Sequence, residues 1–491
     1  MEELFGLSEF AKAGVSASQN SGLMLKLDSC SEPAVNTYAG SGLRIDAKND
    51  VENNKVSANM GIIYNGMDLV NLDLYYGDDT VMAAVPELSP KVFTLDFGEG
   101  LEERLKNSPM LGSALEQSGV DASVMAEYME LLAEQARQTQ EGQAASFDLK
   151  ALMKRYREGC KAEDDFKAAL TVEKGEKASF TIDGKEQACR GYEVTVSKEA
   201  MINFLRTSSD FFLQDEVLKK DFLKRLELSV KLSQLAGAQM EGQDFPTAQE
   251  MQEQTYEEAR TEIDGMIAFL DSSLNDVSMT VYVDKEGCLA SVKGTTSFNS
   301  TGSEAEPVQL QFGCELKGGA YPTQNMSAQA VLENGAASVQ IEAVKEGAYD
   351  GKELTSGFEL SIENQGEIAE KWDITLDSSY NSEGGGFDVQ AAAAQDGMEL
   401  LGFSAQGVVD ELEKGKNIHL TLDSLDVSAM GDTGNAVLSG EYYIRPLTEE
   451  VVPLEGDTMD VLAAGEEEWN SVLMEVLFSF ISLSGQMDTG N

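Results

Sequence analysis

From Asp276 to Pro446, apolar and polar residues alternate almost without a break. Val308, Leu310, Phe312, Cys314 and Leu316 fall on one side, and Gln309, Gln311, Gly313 and Glu315 on the other. The same two-residue period returns in Phe358-Leu360-Ile362, Trp372-Ile374-Leu376, Phe387-Val389-Ala391 and Ile418-Leu420-Leu422. Successive side chains of a strand point to opposite faces, so this period predicts antiparallel strands with one apolar and one wet face. Lys285-Glu286-Gly287, Asn334-Gly335 and Asp396-Gly397 separate the runs. Asn-Gly and Asp-Gly supply the positive φ angles that tight hairpins need. The stretch reads as a β-meander of about eleven strands.

The rest of the chain mixes both periods. A short helix is predicted over Glu2–Ala13, followed by strands at Gly22–Asp28, Gly42–Ala47, Val56–Tyr64, Leu69–Tyr76, Val81–Val85 and Val92–Phe97. Helical spacing then governs 99–161, where Val124, Tyr128, Leu131 and Leu132 share a face. Strands are predicted again at Ala168–Val172, Ala178–Ile182 and Arg190–Val196. A second helical block, 198–270, opens on Ser197 as N-cap, with helices over Lys198–Leu205, Gln214–Leu235 and Ala248–Leu270. A terminal helix is predicted over 466–483. The chain thus divides into 1–275, strands with two helical insertions; 276–446, the meander; and 447–491, a tail carrying the last helix. Sheets of more than about ten strands curl, split or close. The amphipathic helices need an apolar surface to bury their stripes. Together these predict an α+β fold in which one large curved, half-barrel-like sheet carries the helices on its apolar concave side and turns its polar convex face to water.

Charge narrows the function classes. The 491 residues include 86 acids and 36 bases, a formal net charge of −50. Nucleic acid, which requires Lys and Arg clusters, is excluded as a partner, and docking on anionic lipid is disfavoured. Five cysteines without a CxxC pair give neither a zinc knuckle nor a disulfide framework, and leave a single bridge open. Cys314 sits among apolar strand positions and reads as a small core residue. No run reaches the roughly 18 apolar residues of a membrane span; Val472–Leu483 comes nearest and is interrupted by Glu475. Met1-Glu2-Glu3 is acidic where a signal peptide is basic. Two placements fit: a cytoplasmic chain, or an extracytoplasmic one, secreted or held at the membrane by an anchor outside this sequence.

Motifs for catalysis are missing. His419, the one histidine, reads as a residue on the polar side of a strand. Neither a G-x-S-x-G elbow nor a phosphate-binding GxxxxGK[ST] or GxGxxG is present. Asp78-Asp79 and Glu383-Gly384-Gly385-Gly386 read as turns, since no D-x-D-x-D-G loop accompanies them. No catalytic residue, metal ligand or cofactor site is predicted, and the chain is expected not to be an enzyme. The methionine-bearing helical stripes are ordinary core filling on the simplest reading. The sharper reading makes Met125, Tyr128, Met153, Phe222, Leu226, Met251, Ile263 and Met266 the lining of a cavity for a lipid or other apolar ligand between helices and sheet.

A family resemblance points the same way. Leu4-Phe5-Gly6-Leu7-Ser8-Glu9-Phe10, leading to Val85-Pro86-Glu87-Leu88, resembles extracytoplasmic proteins of Clostridia-type bacteria. Gly191-Tyr-Glu-Val-Thr-Val-Ser-Lys-Glu before a helix and Val281-Tyr-Val-Asp-Lys-Glu-Gly opening a hairpin are similar to lipoprotein carriers of the LolA and LppX type. The likeness covers about 20–300; the long helical insertions and the meander depart from it. It implies a curved antiparallel sheet holding helices in its concavity, with acyl chains bound between. The expected function is therefore that of a non-enzymatic cell-envelope protein that binds a lipid or other apolar ligand. The competing expectation is a structural or surface-interaction protein without a cavity.

Overall fold

The computed structural model describes residues 5, 10, 17–112, 115, 121–140, 149–237, 246–299, 307–335, 337–366, 369–430 and 434–488. It is mixed α/β, 29% helix and 51% strand, built on one open sheet of 20 strands. The first six are β1 (Gln19–Cys30), β2 (Gly42–Asp50), β3 (Lys55–Tyr64), β4 (Met67–Gly77), β5 (Thr80–Ala84) and β6 (Lys91–Asp96), with the single turn α1 (Pro33–Asn36) after β1. Helices α2 (Leu101–Asn107), α3 (Ala122–Gln140), α4 (Leu149–Gly159) and α5 (Ala162–Ala169) precede β7 (Thr171–Ile182) and β8 (Lys185–Val196). Three longer helices follow: α6 (Lys198–Gln214), α7 (Glu216–Gly237) and α8 (Ala248–Ser273).

The meander then runs through β9 (Val277–Val283), β10 (Leu289–Phe298), β11 (Val308–Gly318), β12 (Asn325–Asn334), β13 (Ala337–Tyr349), β14 (Glu353–Gln365), β15 (Ala369–Asn381), β16 (Gly386–Gln395), β17 (Met398–Glu413), β18 (Asn417–Ala429) and β19 (Gly434–Pro446). The short β20 (Asp457–Asp460) and α9 (Glu466–Asp488) end the chain.

Neighbours in the sheet are neighbours in sequence from β7 to β19, and again from β1 to β6. The two runs meet where β19 pairs β1, and β20 caps the far edge by pairing β6 in parallel. Every other pairing is antiparallel. The N-terminal strands therefore join the sheet at the end of the meander, not at its beginning. Asn65-Gly66, Asp183-Gly184 and Asp396-Gly397 all hold positive φ at both positions, the geometry of tight hairpin turns.

Several boundaries differ from the sequence reading. The residues read as strands at 168–172, 178–182 and 190–196 form only two strands, β7 and β8, and helix α5 occupies 162–169. Glu163, Asp164 and Asp165 in the first turn favour that helix through its dipole. The helix read over Glu2–Ala13 lies outside the described residues except for Phe5 and Phe10, both helical. Phe5 is buried against Tyr380 and Val409.

At the β7–β11 end the sheet bends the other way from the expected curvature. The backbone N–H of Asp183, at the tip of the β7–β8 hairpin, donates to the Lys317 carbonyl at 2.9 Å. β7 and β11 stand four places apart in the sheet, about 19 Å if it were flat. The Phe180 and Tyr282 rings meet at 5.0 Å, and Tyr282 lies on the polar face, in register with Ser291. This part of the sheet therefore rolls toward its polar side, and the concave face is the polar one. Phe5 covers one end of the apolar face of β15–β18, at Tyr380 and Val409, and the rest stays open: Ile374 is 40% exposed, Leu376 44%, Phe403 41% and Leu401 60%.

Several small clusters of buried apolar residues anchor the described chain. One gathers Tyr75, Met82, Ala84, Val92 and Val451; another Leu101, Leu105, Ala122, Ala126 and Leu462; a third sets α9 on β6 and β20 through Val472, Met459 and Phe93. The chain exposes 29478 Å², about 1.7 times the scaling for compact monomers of its mass. No described helix is long and apolar enough to cross a membrane.

Candidate functional site

A cleft of about 1370 Å³ lies between β7 and the polar face of β10–β16. Its shape begins with the β7–β8 pairing, whose register slips between Lys174 and Lys177. The extra residues make a bulge, which bends and twists the strand. A Cβ at Gly191 would stand 2.1 Å from the Glu176 carbonyl oxygen, so this close approach requires glycine. The second half of β7 is thereby carried over β9–β11. The backbone N–H of Gly319 donates to Asp183 Oδ1 at 2.7 Å and fixes the tip.

The receiving loop is itself braced. Gln324, 9% exposed, accepts from the Ala320 N–H and donates through Nε2 to the Gly347 carbonyl at 2.8 Å. The Gly347 N–H donates to Asn325 Oδ1 at 2.7 Å. Loop β11–β12 is thus tied to β13.

Carboxylates dominate the cleft lining: Asp183, Glu186, Glu315, Glu346, Asp377 and Asp388 against Lys293 and Lys317. Lys293 is already engaged, 3.0 Å from Glu315. Asp388 accepts from the Gln390 and Gln406 side-chain amides at 3.1 and 2.7 Å. Along β7, four consecutive residues, Ala178, Ser179, Phe180 and Thr181, line the opening. Consecutive residues of a strand point to opposite faces, so the cleft meets this strand along its edge. Among the described residues β7 pairs β8 on one side and no strand on the other. Its free edge therefore offers unpaired backbone donors and acceptors to the cleft.

A second group of polar contacts flanks the junction of the two runs, and the Tyr443–Asp46 bond crosses it. Arg44 reaches Asp68 at 3.1 Å and Asn71 at 3.1 Å, and Asn71 donates to Glu87 at 2.7 Å. Burial works to raise the Glu87 carboxyl, but the Asn71 side-chain and backbone bonds outweigh it and hold it low. Tyr443 donates to Asp46 at 2.7 Å; burial first, and Asp46 second, push its phenol up to about 12. His419 is half-buried beside this cluster, its Nδ1 3.5 Å from Asp410 and its Nε2 3.7 Å from Glu441. These side chains satisfy one another between strands of the sheet, which is structural work.

The eight residues read as an apolar lining lie on four helices: Met125 and Tyr128 on α3, Met153 on α4, Phe222 and Leu226 on α7, and Met251, Ile263 and Met266 on α8. Met125 packs on the Leu101–Leu105 cluster. Phe222 meets Tyr256 at 5.9 Å, and Met266 is 53% exposed. Tyr128, Met153, Leu226, Met251 and Ile263 are each half-buried on their own helices. None of the eight lines the cleft or the shallower depressions on the same face. Among the described residues no three of His, Cys, Asp and Glu converge as a metal site, and the five cysteines are free thiols.

The cleft escaped the sequence reading. Alternation showed which residues share a face, but the direction of roll depends on a bulge and a docked turn far apart in sequence. Comparison with protein-family models, curated proteins and solved structures finds no match.

Proposed function

We propose that this is a non-enzymatic binding protein of the cell envelope that takes an extended, basic polypeptide segment along the free edge of β7. One observation carries the reading: the uncharged half of an unpaired edge strand, Ala178–Thr181, opens on a cleft with six carboxylates and two lysines. Backbone pairing to an edge gives affinity without sequence demands, and alternate side chains of the added strand supply specificity. Those facing the polar sheet would be basic, to match Glu346, Asp377 and Asp388. The Phe180–Tyr282 pair adds a face on which a cation can rest. An apolar ligand between helices and sheet, the expectation drawn from the sequence, draws no support from the cleft, which none of those eight residues lines. The envelope placement is kept on the strength of the resemblance.

Calorimetry with an eight-residue peptide of alternating lysine and valine tests the reading. Binding is expected, weakening at least tenfold in the double variant Asp377→Asn, Asp388→Asn. The control Glu257→Gln, Glu258→Gln on α8 should leave it unchanged. The same peptide N-methylated at alternate residues keeps its charge but cannot pair with an edge, and should not bind. Equal binding of both peptides, or of both variants, overturns the proposal, as does no binding at all.

A further inference from the structure

We propose that the apolar face of β11–β18, on the side of the sheet opposite the cleft, is the contact surface of a symmetric dimer of this chain. The register aligns its side chains in rows. Phe358, Leu376, Ala391, Phe403 and Val427 stand opposite one another across five strands; Leu360, Ile374, Ala393 and Leu401 form the next row. Exposure of the largest members, 37% for Trp372, 44% for Leu376 and 60% for Leu401, means that no described residue covers them.

Area decides what can. Three rows over eight strands, at about 33 Å² per position from strand spacing and rise, make roughly 800 Å². The largest apolar patch of a typical monomer is about 300–600 Å², whereas a stable specific interface takes about 800 Å² from each partner. The face is also nearly free of charge in a chain of net −50. Its ionic side chains include Glu370, at the end of β15 opposite Asn364, and Lys345, which turns toward Tyr321 with Nζ 5.3 Å from the ring centre.

A second copy fits this surface better than a lipid bilayer does. Strong negative charge opposes approach to anionic headgroups. Two apolar sheets, by contrast, pack face to face about 10 Å apart. Ala391 and Ala393 on β16 leave hollows between the larger residues of β15 and β17, so two faces related by a two-fold axis can interdigitate. The acidic clefts would then face outward on both sides of the pair. Repulsion between the copies is screened by salt, with a screening length of about 8 Å at physiological ionic strength.

Sedimentation velocity across protein concentration and salt tests the proposal. The intact chain should dimerise at micromolar concentration, and the dissociation constant should tighten several-fold between low and 0.5 M salt, about a threefold Debye contraction. Leu401→Glu and, separately, Phe403→Glu should weaken the dimer at least tenfold with an unchanged circular dichroism spectrum. Gln390→Glu on the polar face should not. A monomer under every condition, or a dimer indifferent to both apolar-face substitutions, overturns the proposal. So does flotation of the protein with neutral phosphatidylcholine vesicles that is lost in Leu401→Glu, which would make the surface a membrane contact. None of these outcomes depends on whether a peptide occupies the cleft.

Discussion

Replacing Gly440 by valine lowers the stability of the whole sheet by about 3 kcal/mol or more, the upper end of what overpacking costs. Gly440 lies on β19, between Leu25 of β1 and Leu422 of β18. A Cβ there would stand 2.0 Å from the Met24 carbonyl oxygen, a backbone atom that cannot rotate away. Relief is possible only if β19 and β1 separate, and among the described residues that strand pairing alone joins the two runs. The Tyr443–Asp46 bond crosses the same seam and would be strained with it. Urea unfolding followed by circular dichroism gives the loss. Hydrogen exchange should place it in β1 and β19, while α6–α8 keep their protection. A Gly440→Val chain as stable as the parent would mean that the seam is wrongly placed.

Loss of Asp215 is expected to strike the helices instead. Its carboxylate is 6% exposed and takes two bonds from Arg155, from Nε at 2.8 Å and from Nη2 at 2.9 Å. It also accepts the Leu218 N–H at 2.7 Å, capping the start of α7. Asp215→Ala removes a cap and leaves a half-buried guanidinium short of its main counter-ion. About 2–4 kcal/mol is expected, discounted from the fully buried case because Arg155 keeps access to water. The Arg155 bonds hold the Asp215 carboxyl below its ordinary value, with the Leu218 N–H adding to them against burial. A lowered carboxyl contributes stability that is full above its unfolded pKa, near 3.9, and is lost as pH falls through the folded value. Helix stability in the parent should therefore fall between neutral pH and pH 3 by more than it does in Asp215→Ala. Melts at 222 nm at the two pH values check both the size and the sign.

What the sequence made legible was local. The alternation of Val308–Leu316 and Trp372–Leu376 marks strands and their apolar faces because side-chain direction on a strand depends on nothing distant. Asp396-Gly397 marks its hairpin for the same reason. The pairing of β19 with β1 left no such mark, since it depends on which distant edge is free. The direction of roll was equally hidden. It follows from a bulge at Lys174–Lys177 and from Asp183 docking on loop β11–β12, 136 residues onward at Gly319. Assuming that amphipathic helices must line an apolar hollow led to Met125, Phe222 and Met266. The hollow that formed is polar, and its lining, Glu315, Asp377 and Asp388, was present in the sequence only as the wet side of three strands.

The central claim, that the sheet rolls toward its polar face, is tested most directly by one distance. Spin labels at Thr181 on β7 and Asp388 on β16, in a background without native cysteines, can be measured by double electron–electron resonance. Nine strand spacings separate these positions in the sheet, about 43 Å if it lies flat. The rolled sheet, with the hairpin docked at β11, predicts a single distance at or below about 25 Å, the five spacings from β11 to β16. A distribution centred near 40 Å would contradict the roll, and with it the cleft.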